Sequence, residues 1–214
     1  MKRLINSALL ALAVSAPLSV FAEDAAKDPV AKGDAAAGQA KAATCIACHG
    51  PTGNSTDPQY PKLAGQAAPY LVAQVKAFQK GQRRNPVMMG MVGNLSEKDA
   101  TDIAAFFSSQ KMSPGLASKD AVAKAQKLYR AGDAARGVPA CGACHGPGGA
   151  GNPAAAYPRL GGQHATYAVS ALNRLRASAA EPLPDGNTKT MATVAAKLSD
   201  AEIAALASYI NGLH

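Results

Sequence analysis

Apolar residues along this chain recur at intervals of three and four, which is the spacing of an amphipathic α-helix. One such stripe contains Val72, Val75 and Phe78, and another contains Val169, Leu172 and Leu175. No run alternates apolar and polar residues over the length of a β-strand. The pattern therefore predicts an all-α fold with long polar loops.

Two of the predicted helices have clear start signals. Ser96-x-x-Asp99 and Ser199-x-x-Glu202 have the form of capping boxes, which mark helix N-termini. The apolar faces that follow carry Ile103, Phe106 and Phe107 on one helix and Ile203, Leu206, Tyr209 and Ile210 on the other. Each of these helices is predicted to end one half of the chain.

The chain contains an internal duplication. Tyr-Pro-Lys-Leu-Ala-Gly-Gln at 60–66 returns as Tyr-Pro-Arg-Leu-Gly-Gly-Gln at 157–163, an offset of 97 residues. A repeat of this length is the size of a compact domain and exceeds the period of solenoid proteins. Because Ser113-Pro114-Gly115 breaks the helical pattern, we predict two tandem helical domains, 23–112 and 113–214.

Residues 1–22 are typical of a signal peptide. Lys2 and Arg3 precede an apolar run, Leu9 to Val20, that leads to the small residue Ala22. The run is short for a bilayer span, which needs about 20 residues. We therefore predict cleavage before Glu23 and export to the periplasm, with an uncleaved N-terminal anchor as the alternative.

The chain has a net positive charge, but this charge does not indicate a nucleic-acid-binding protein. Its formal charge of +8 falls to +6 when the predicted signal peptide is removed, because that segment carries Lys2, Arg3 and no acidic residue. The Lys and Arg residues are scattered, and aromatic residues make up only 5% of the chain. We interpret the charge as a weak tendency towards redox partners or a membrane surface.

All four cysteines lie in two Cys-x-x-Cys-His units. The first has Cys45, Cys48 and His49, and the second has Cys141, Cys144 and His145. This spacing is typical of c-type haem attachment, in which the two thiols add to the haem vinyl groups and the histidine binds the iron. Two covalently bound haems are therefore predicted.

Three alternatives remain for these cysteines. A thioredoxin-like redox disulfide needs a βαβ context that neither half shows. A zinc site would have to join pairs 96 residues apart, and plain structural disulfides are possible after export. None of the three explains the histidine that follows each pair.

Methionine is the expected sixth iron ligand of an electron-carrying haem. In the second half Met191 lies seven residues before Leu198, and the same register counted from Leu95 selects Met88. The competing methionines of the first half are Met89, Met91 and Met112, of which the first two are predicted to pack on the haem edge or fill the core. His164 and His214 are predicted to be solvated or locally hydrogen-bonded, with His164 as an alternative iron ligand.

With these motifs the chain resembles the cytochrome c4 family of two-domain dihaem cytochromes. The resemblance covers nearly the whole mature chain and includes both haem motifs, residues 60–66, 157–164 and 194–199, and the ending Ser-Tyr-Ile-Asn-Gly-Leu-His. It implies two cytochrome c folds related by a pseudo-twofold axis, haems close together at the domain interface, and electron delivery to a terminal oxidase. Residues 80–87 look shorter than their counterpart in several family members.

The leading functional hypothesis is therefore a periplasmic electron carrier. It would take electrons from quinol-cytochrome c reductase or another donor and pass them to a terminal cytochrome oxidase, in soluble or loosely membrane-bound form. The alternative is a haem redox enzyme or its electron-transfer subunit, such as a dihaem peroxidase or a thiosulfate-oxidising enzyme. Paired methionine ligands favour the carrier, because they leave no open coordination position on either iron.

Overall fold

Helices account for all the regular structure in residues 33–183 and 185–214, which this computed structural model describes. They are α1 (Ala35–Lys41), α2 (Ala43–His49), α3 (Ala68–Gln79), α4 (Pro86–Val92), α5 (Glu97–Ser109), α6 (Lys119–Ala131), α7 (Cys141–His145), α8 (Ala165–Ala177), α9 (Gly186–Ala195) and α10 (Asp200–Asn211), with 3₁₀ helices at Ala134–Arg136 and Pro153–Ala155. Extended pairing within these residues is limited to two isolated bridges. The all-α prediction is confirmed, and the predicted signal peptide lies outside the described residues.

The order of helices in the first half returns in the second. Helices α1 and α3 pack on α5, and α6 and α8 pack on α10 in the same way. Each half places its Cys-x-x-Cys-His unit on the short helix that precedes a long loop, α2 in one half and α7 in the other. The fold therefore consists of two tandem helical domains of the same design.

Both terminal helices begin at the predicted serines. The Ser96 hydroxyl accepts a hydrogen bond from the Asp99 backbone N–H, which caps α5. At α10 the box is complete, because Ser199 accepts from the Glu202 N–H while the Glu202 carboxylate accepts from the Ser199 N–H. Each cap satisfies backbone donors that the first turn of a helix leaves unpaired.

Each half has its own hydrophobic core. The terminal helices supply the buried apolar residues predicted for them, Ile103, Phe106, Phe107, Ile203, Leu206, Tyr209 and Ile210. Among the predicted stripes of α3 and α8, Val72 and Phe78 are buried, and Val75, Val169, Leu172 and Leu175 are half-buried. The two cores share no residue.

A buried carboxylate joins α1 to α5 in the first half. Asp102 is 1% exposed and accepts hydrogen bonds from the Lys98 and Lys41 ammonium groups and from the Asp34 backbone N–H. These donors, Lys98 first and Lys41 next, hold the pKa of Asp102 well below its usual range. The carboxylate is therefore charged whenever the protein is folded at neutral pH.

Residues 112–118 connect the halves without regular structure, so the predicted helix break is observed. The connection lies along the end of α10, where the Gly115 N–H donates to the Asn211 backbone carbonyl and the Leu116 N–H donates to the Asn211 side chain. Within residues 33–183 and 185–214, no helix combines the length and apolar character needed to cross a membrane.

The two halves meet through the repeated segments. The Gln163 side chain accepts from the Lys62 backbone N–H at 2.8 Å and donates to the Lys62 carbonyl at 2.9 Å. The Gln66 side chain makes the same pair of bonds with Arg159, at 2.7 and 3.0 Å. Because the two pairs are reciprocal, the interface has the pseudo-twofold character that the resemblance implies.

Two candidate haem-attachment sites

Both Cys-x-x-Cys-His units are helical, and this sets the direction of their side chains. Residues three apart on a helix lie on one face, so the two thiols of each unit share a face one turn apart. Each helix ends at a glycine with positive φ, Gly50 at 81° and Gly146 at 80°. Residues other than glycine rarely adopt this backbone conformation. The chain therefore changes direction directly after His49 and His145.

The two histidines are held in a ligand-ready form. His49 and His145 are 5% and 4% exposed, and their Nδ1 atoms lie 2.9 Å from the carbonyl oxygens of Pro61 and Pro158. A carbonyl oxygen only accepts, so Nδ1 carries the proton and Nε2 keeps its lone pair. Burial lowers the pKa of both imidazoles and outweighs the carbonyl contact, which raises it. Each imidazole is therefore neutral with Nε2 free for a metal.

The thiols are free. Cys45 and Cys141 are half-buried, Cys48 and Cys144 are exposed, and none forms a disulfide. Burial raises the pKa of the Cys45 and Cys141 thiols. Within the described residues, no three His, Cys, Asp or Glu side chains come together as a metal site would require. Neither the structural-disulfide nor the zinc alternative therefore has support in the structure.

The predicted methionines lie on equivalent helices. Met88 is on α4, which Asn85 caps by accepting from the Met88 N–H, and Met191 is on α9, which Asp185 caps. Both thioethers are half-buried. Their assignment as iron ligands stays a prediction.

The other methionines of the first half differ in exposure. Met89 and Met91 are 36% and 45% exposed, whereas Met112 is buried beside the interdomain connection. Met89 and Met91 are therefore not part of the buried core of the first half. Their packing against a haem edge stays a prediction.

One histidine prediction also changes. His214 is exposed, and its Nδ1 hydrogen-bonds to the nearby Gly212 carbonyl, as predicted. His164 instead crosses the interface, with Nε2 at 2.9 Å from the Ser55 carbonyl oxygen and 3.1 Å from its hydroxyl. Its partner is 109 residues away in the chain, which makes the prediction of a solvated or locally bonded side chain wrong.

Sequence reasoning missed the role of the repeated loop. Its prolines supply the carbonyl partners of the two histidines, and its glutamines supply the interdomain bonds. The sequence contained a signal for this role, because Pro61 and Gln66 recur as Pro158 and Gln163 at the same offset.

The residues present fit haem c in both halves. Each offers two free thiols on one helix face, a buried neutral imidazole with an available Nε2, and a thioether on a later helix. The family model for cytochrome c matches residues 35–111 and 122–214, one match in each half. Fold and sites together define a c-type cytochrome with two covalently bound haem c groups.

Relatives that match over most of their length show to which family of c-type cytochromes the chain belongs. The chain is 52% identical over 184 residues to cytochrome c4 of Pseudomonas aeruginosa, with 86% of this chain and 90% of the relative covered. The crystal structure of reduced recombinant cytochrome c4 from Pseudomonas stutzeri superposes with a TM-score of 0.81 at 47% identity, covering 85% of this chain and 100% of that one. The chain belongs to the cytochrome c4 family, whose members are electron-transfer proteins rather than enzymes.

A more distant relative has a different description. The thiosulfate dehydrogenase electron acceptor of Thiomonas intermedia is 36% identical over 179 residues, with 82% of this chain and 81% of the relative covered. It is also matched over most of its length, so the likeness includes both halves.

Proposed function

We propose that the chain carries electrons through two haems whose irons are each ligated by one histidine and one methionine. His49 and Met88 would hold the first iron, and His145 and Met191 the second, with Cys45, Cys48, Cys141 and Cys144 as the attachment points. The observation that carries the proposal is the pair of buried histidines, each with Nδ1 bound to a proline carbonyl and Nε2 free.

The proposed ligand set suits electron transfer. When bound, each haem would supply a one-electron couple, and one histidine and one methionine would hold its iron. Thioether sulfur favours the ferrous state and raises the potential. The carbonyl bonds of His49 and His145 keep each ring in one orientation through both oxidation states, which limits the rearrangement that accompanies electron transfer.

The proposed cellular route begins with export of the chain by residues 1–22. In the periplasm, quinol-cytochrome c reductase or another donor would reduce one haem, and a terminal cytochrome oxidase would oxidise the other. A formal charge of +6 after cleavage supports steering towards acidic partner surfaces or a peripheral position on the membrane.

A second candidate function has support from one comparison. The likeness to a thiosulfate dehydrogenase electron acceptor favours thiosulfate dehydrogenase as an electron donor. In that case the chain would still carry electrons, and only its donor would differ. Stopped-flow reduction of the oxidised protein by thiosulfate dehydrogenase and by quinol-cytochrome c reductase separates the two donors.

The iron ligands are tested by absorption of the oxidised protein near the red edge of the visible spectrum, where Fe–S(Met) bonds give a weak band. Met88→Ala and Met191→Ala should each remove about half of this band, because each removes one of two sulfur ligands. Met89→Ala is the matched control, since it alters the neighbouring side chain on the same helix. Loss of the band in Met89→Ala with retention in Met88→Ala would overturn the assignment.

Delivery to an oxidase is tested with membranes that contain a terminal cytochrome oxidase. Reduced protein should be oxidised with uptake of oxygen, and the rate should fall as salt screens the attraction between charged surfaces. No oxidation at low ionic strength would contradict the proposed acceptor.

A further inference from the structure

A single peptide group in each half joins the predicted iron ligand to the other half. In the first half this is the peptide between Pro61 and Lys62. Its carbonyl oxygen accepts from His49 Nδ1 at 2.9 Å, and its N–H donates to the Gln163 side chain at 2.8 Å. The histidine and the glutamine of the opposite half therefore bond to opposite ends of one planar unit.

The second half repeats this arrangement. The peptide between Pro158 and Arg159 accepts from His145 Nδ1 at 2.9 Å through its oxygen and donates to the Gln66 side chain at 2.7 Å through its nitrogen. The two chains of hydrogen bonds run in opposite directions across the interface. Each predicted histidine ligand is thus connected through one peptide group to a glutamine that belongs to the other domain.

These bonds lie in the interior, where hydrogen bonds polarise one another. Gln66 and Gln163 are 4% and 6% exposed, and Lys62 is also buried. When the N–H of a peptide donates to a good acceptor, its carbonyl oxygen becomes more negative and accepts more strongly. A stronger bond at Nδ1 increases the electron density of the imidazole and raises its basicity towards a metal at Nε2.

We propose that Gln163 and Gln66 are positioning residues that each tune the iron ligand of the opposite half, Gln163 acting on His49 and Gln66 on His145. A more basic imidazole favours ferric iron, so each glutamine lowers the potential of the haem across the interface. The inference rests on the proposed function in one respect, because it requires His49 and His145 to be iron ligands.

The glutamine amide has a second role that must be separated from tuning. Each side chain also donates to the carbonyl of the same opposite residue and accepts from the N–H of its own neighbour, His164 or Ala67. Removing it therefore weakens the interface as well as the peptide contact. Arg83 provides the matched control, because its bond to the Tyr167 hydroxyl crosses the interface without touching either peptide.

The experiment uses the full-length protein with both haems and follows the two histidine Nδ1 protons by nitrogen-15 NMR together with the stepped reduction potentials. In the oxidised wild type both Nδ1 protons should be hyperfine-shifted, and absence of this shift overturns the ligand assignment and the inference together. In reduced Gln163→Leu the chemical shift of the His49 Nδ1 proton should change, and the first haem should be easier to reduce. The shift of the His145 Nδ1 proton should stay as in the wild type. Gln66→Leu should do the reverse.

Two further variants decide what the shifts mean. Gln163→Glu places a carboxylate, a stronger acceptor, opposite the Lys62 N–H, so the chemical shift of the His49 proton should move in the direction opposite to that in Gln163→Leu. Arg83→Gln should leave both Nδ1 protons unchanged, although it loosens the same interface. If Gln163→Leu moves both histidines equally, or if Arg83→Gln moves them as much, the glutamines only hold the domains together and the proposed tuning is overturned.

Discussion

Replacing Tyr129 by Phe should weaken the second half by removing one hydrogen bond next to its haem motif. Tyr129 lies on α6, is fully buried, and donates through its hydroxyl to the Gly146 carbonyl at 2.8 Å. That bond fixes the residue directly after His145 against the core. The ring itself packs at 5.4 Å from Tyr209 between centroids, and Phe preserves this contact.

The expected cost follows from what the substitution leaves behind. A typical hydrogen bond contributes about 1 kcal/mol, and because Gly146 is half-buried, water can partly replace the lost donor, so we expect the cost to stay near this value. For a domain of roughly 100 residues, a loss of 1 kcal/mol lowers the midpoint of thermal unfolding by about 4–8 °C. We therefore expect a decrease of several degrees for Tyr129→Phe.

The assay is thermal and urea unfolding of the haem-loaded protein followed by far-UV circular dichroism. Tyr209→Phe is the matched control, because its ring is equally part of the core while its hydroxyl bonds to no side chain or backbone group in the described residues. It should change stability by less than about 0.5 kcal/mol. Equal effects of the two substitutions would refute the role assigned to the Gly146 bond.

Three other outcomes are expected. Leu206→Ala should destabilise the second half by about 2–5 kcal/mol in urea unfolding because it opens a cavity in the core, whereas Leu116→Ala, at a side chain 90% exposed, should have little effect. Asp102→Asn should flatten the acid dependence of the unfolding temperature: the wild-type contribution is complete above the unfolded pKa of about 4 and is lost as pH falls towards the depressed folded pKa. Cys141→Ser combined with Cys144→Ser should leave one covalently attached haem by mass spectrometry after acid-acetone extraction, because a single remaining thiol could still hold the haem, and retention of two haems would contradict the motif assignment.

Local features of the molecule followed from the sequence. Phe107 and Leu206 are in the cores because helical periodicity places apolar residues on one face, and that spacing is independent of the rest of the fold. The serines at 96 and 199 begin helices because a capping side chain bonds to N–H groups two or three residues away. The haem motifs were recognisable for the same reason, since both thiols and the histidine lie within five residues.

The missed features depend on contacts between distant residues. His164 reaches Ser55 and Gln66 reaches Arg159 only after the two halves dock, so neither bond has a local sequence signal. Asp102 is buried between two lysines, one of them 61 residues away, although an isolated aspartate on a helix is ordinarily exposed. For these three residues, tertiary packing rather than residue type determined which polar side chains are buried and with which groups they bond.

The interface gives a physical reason for keeping two haem domains in one chain. Separate domains would expose the peptide N–H groups of Lys62 and Arg159 to water, whose hydrogen bonds fluctuate, whereas docking fixes them on Gln163 and Gln66. Both histidine partners are then held by the same reciprocal contact. Electrostatics would also couple the two sites, because oxidation of one iron adds a positive charge. Charges interact more strongly across a water-excluded boundary than through solvent. Duplication alone supplies two carriers, whereas under the proposed tuning docking through these loops makes the state of one site depend on the other.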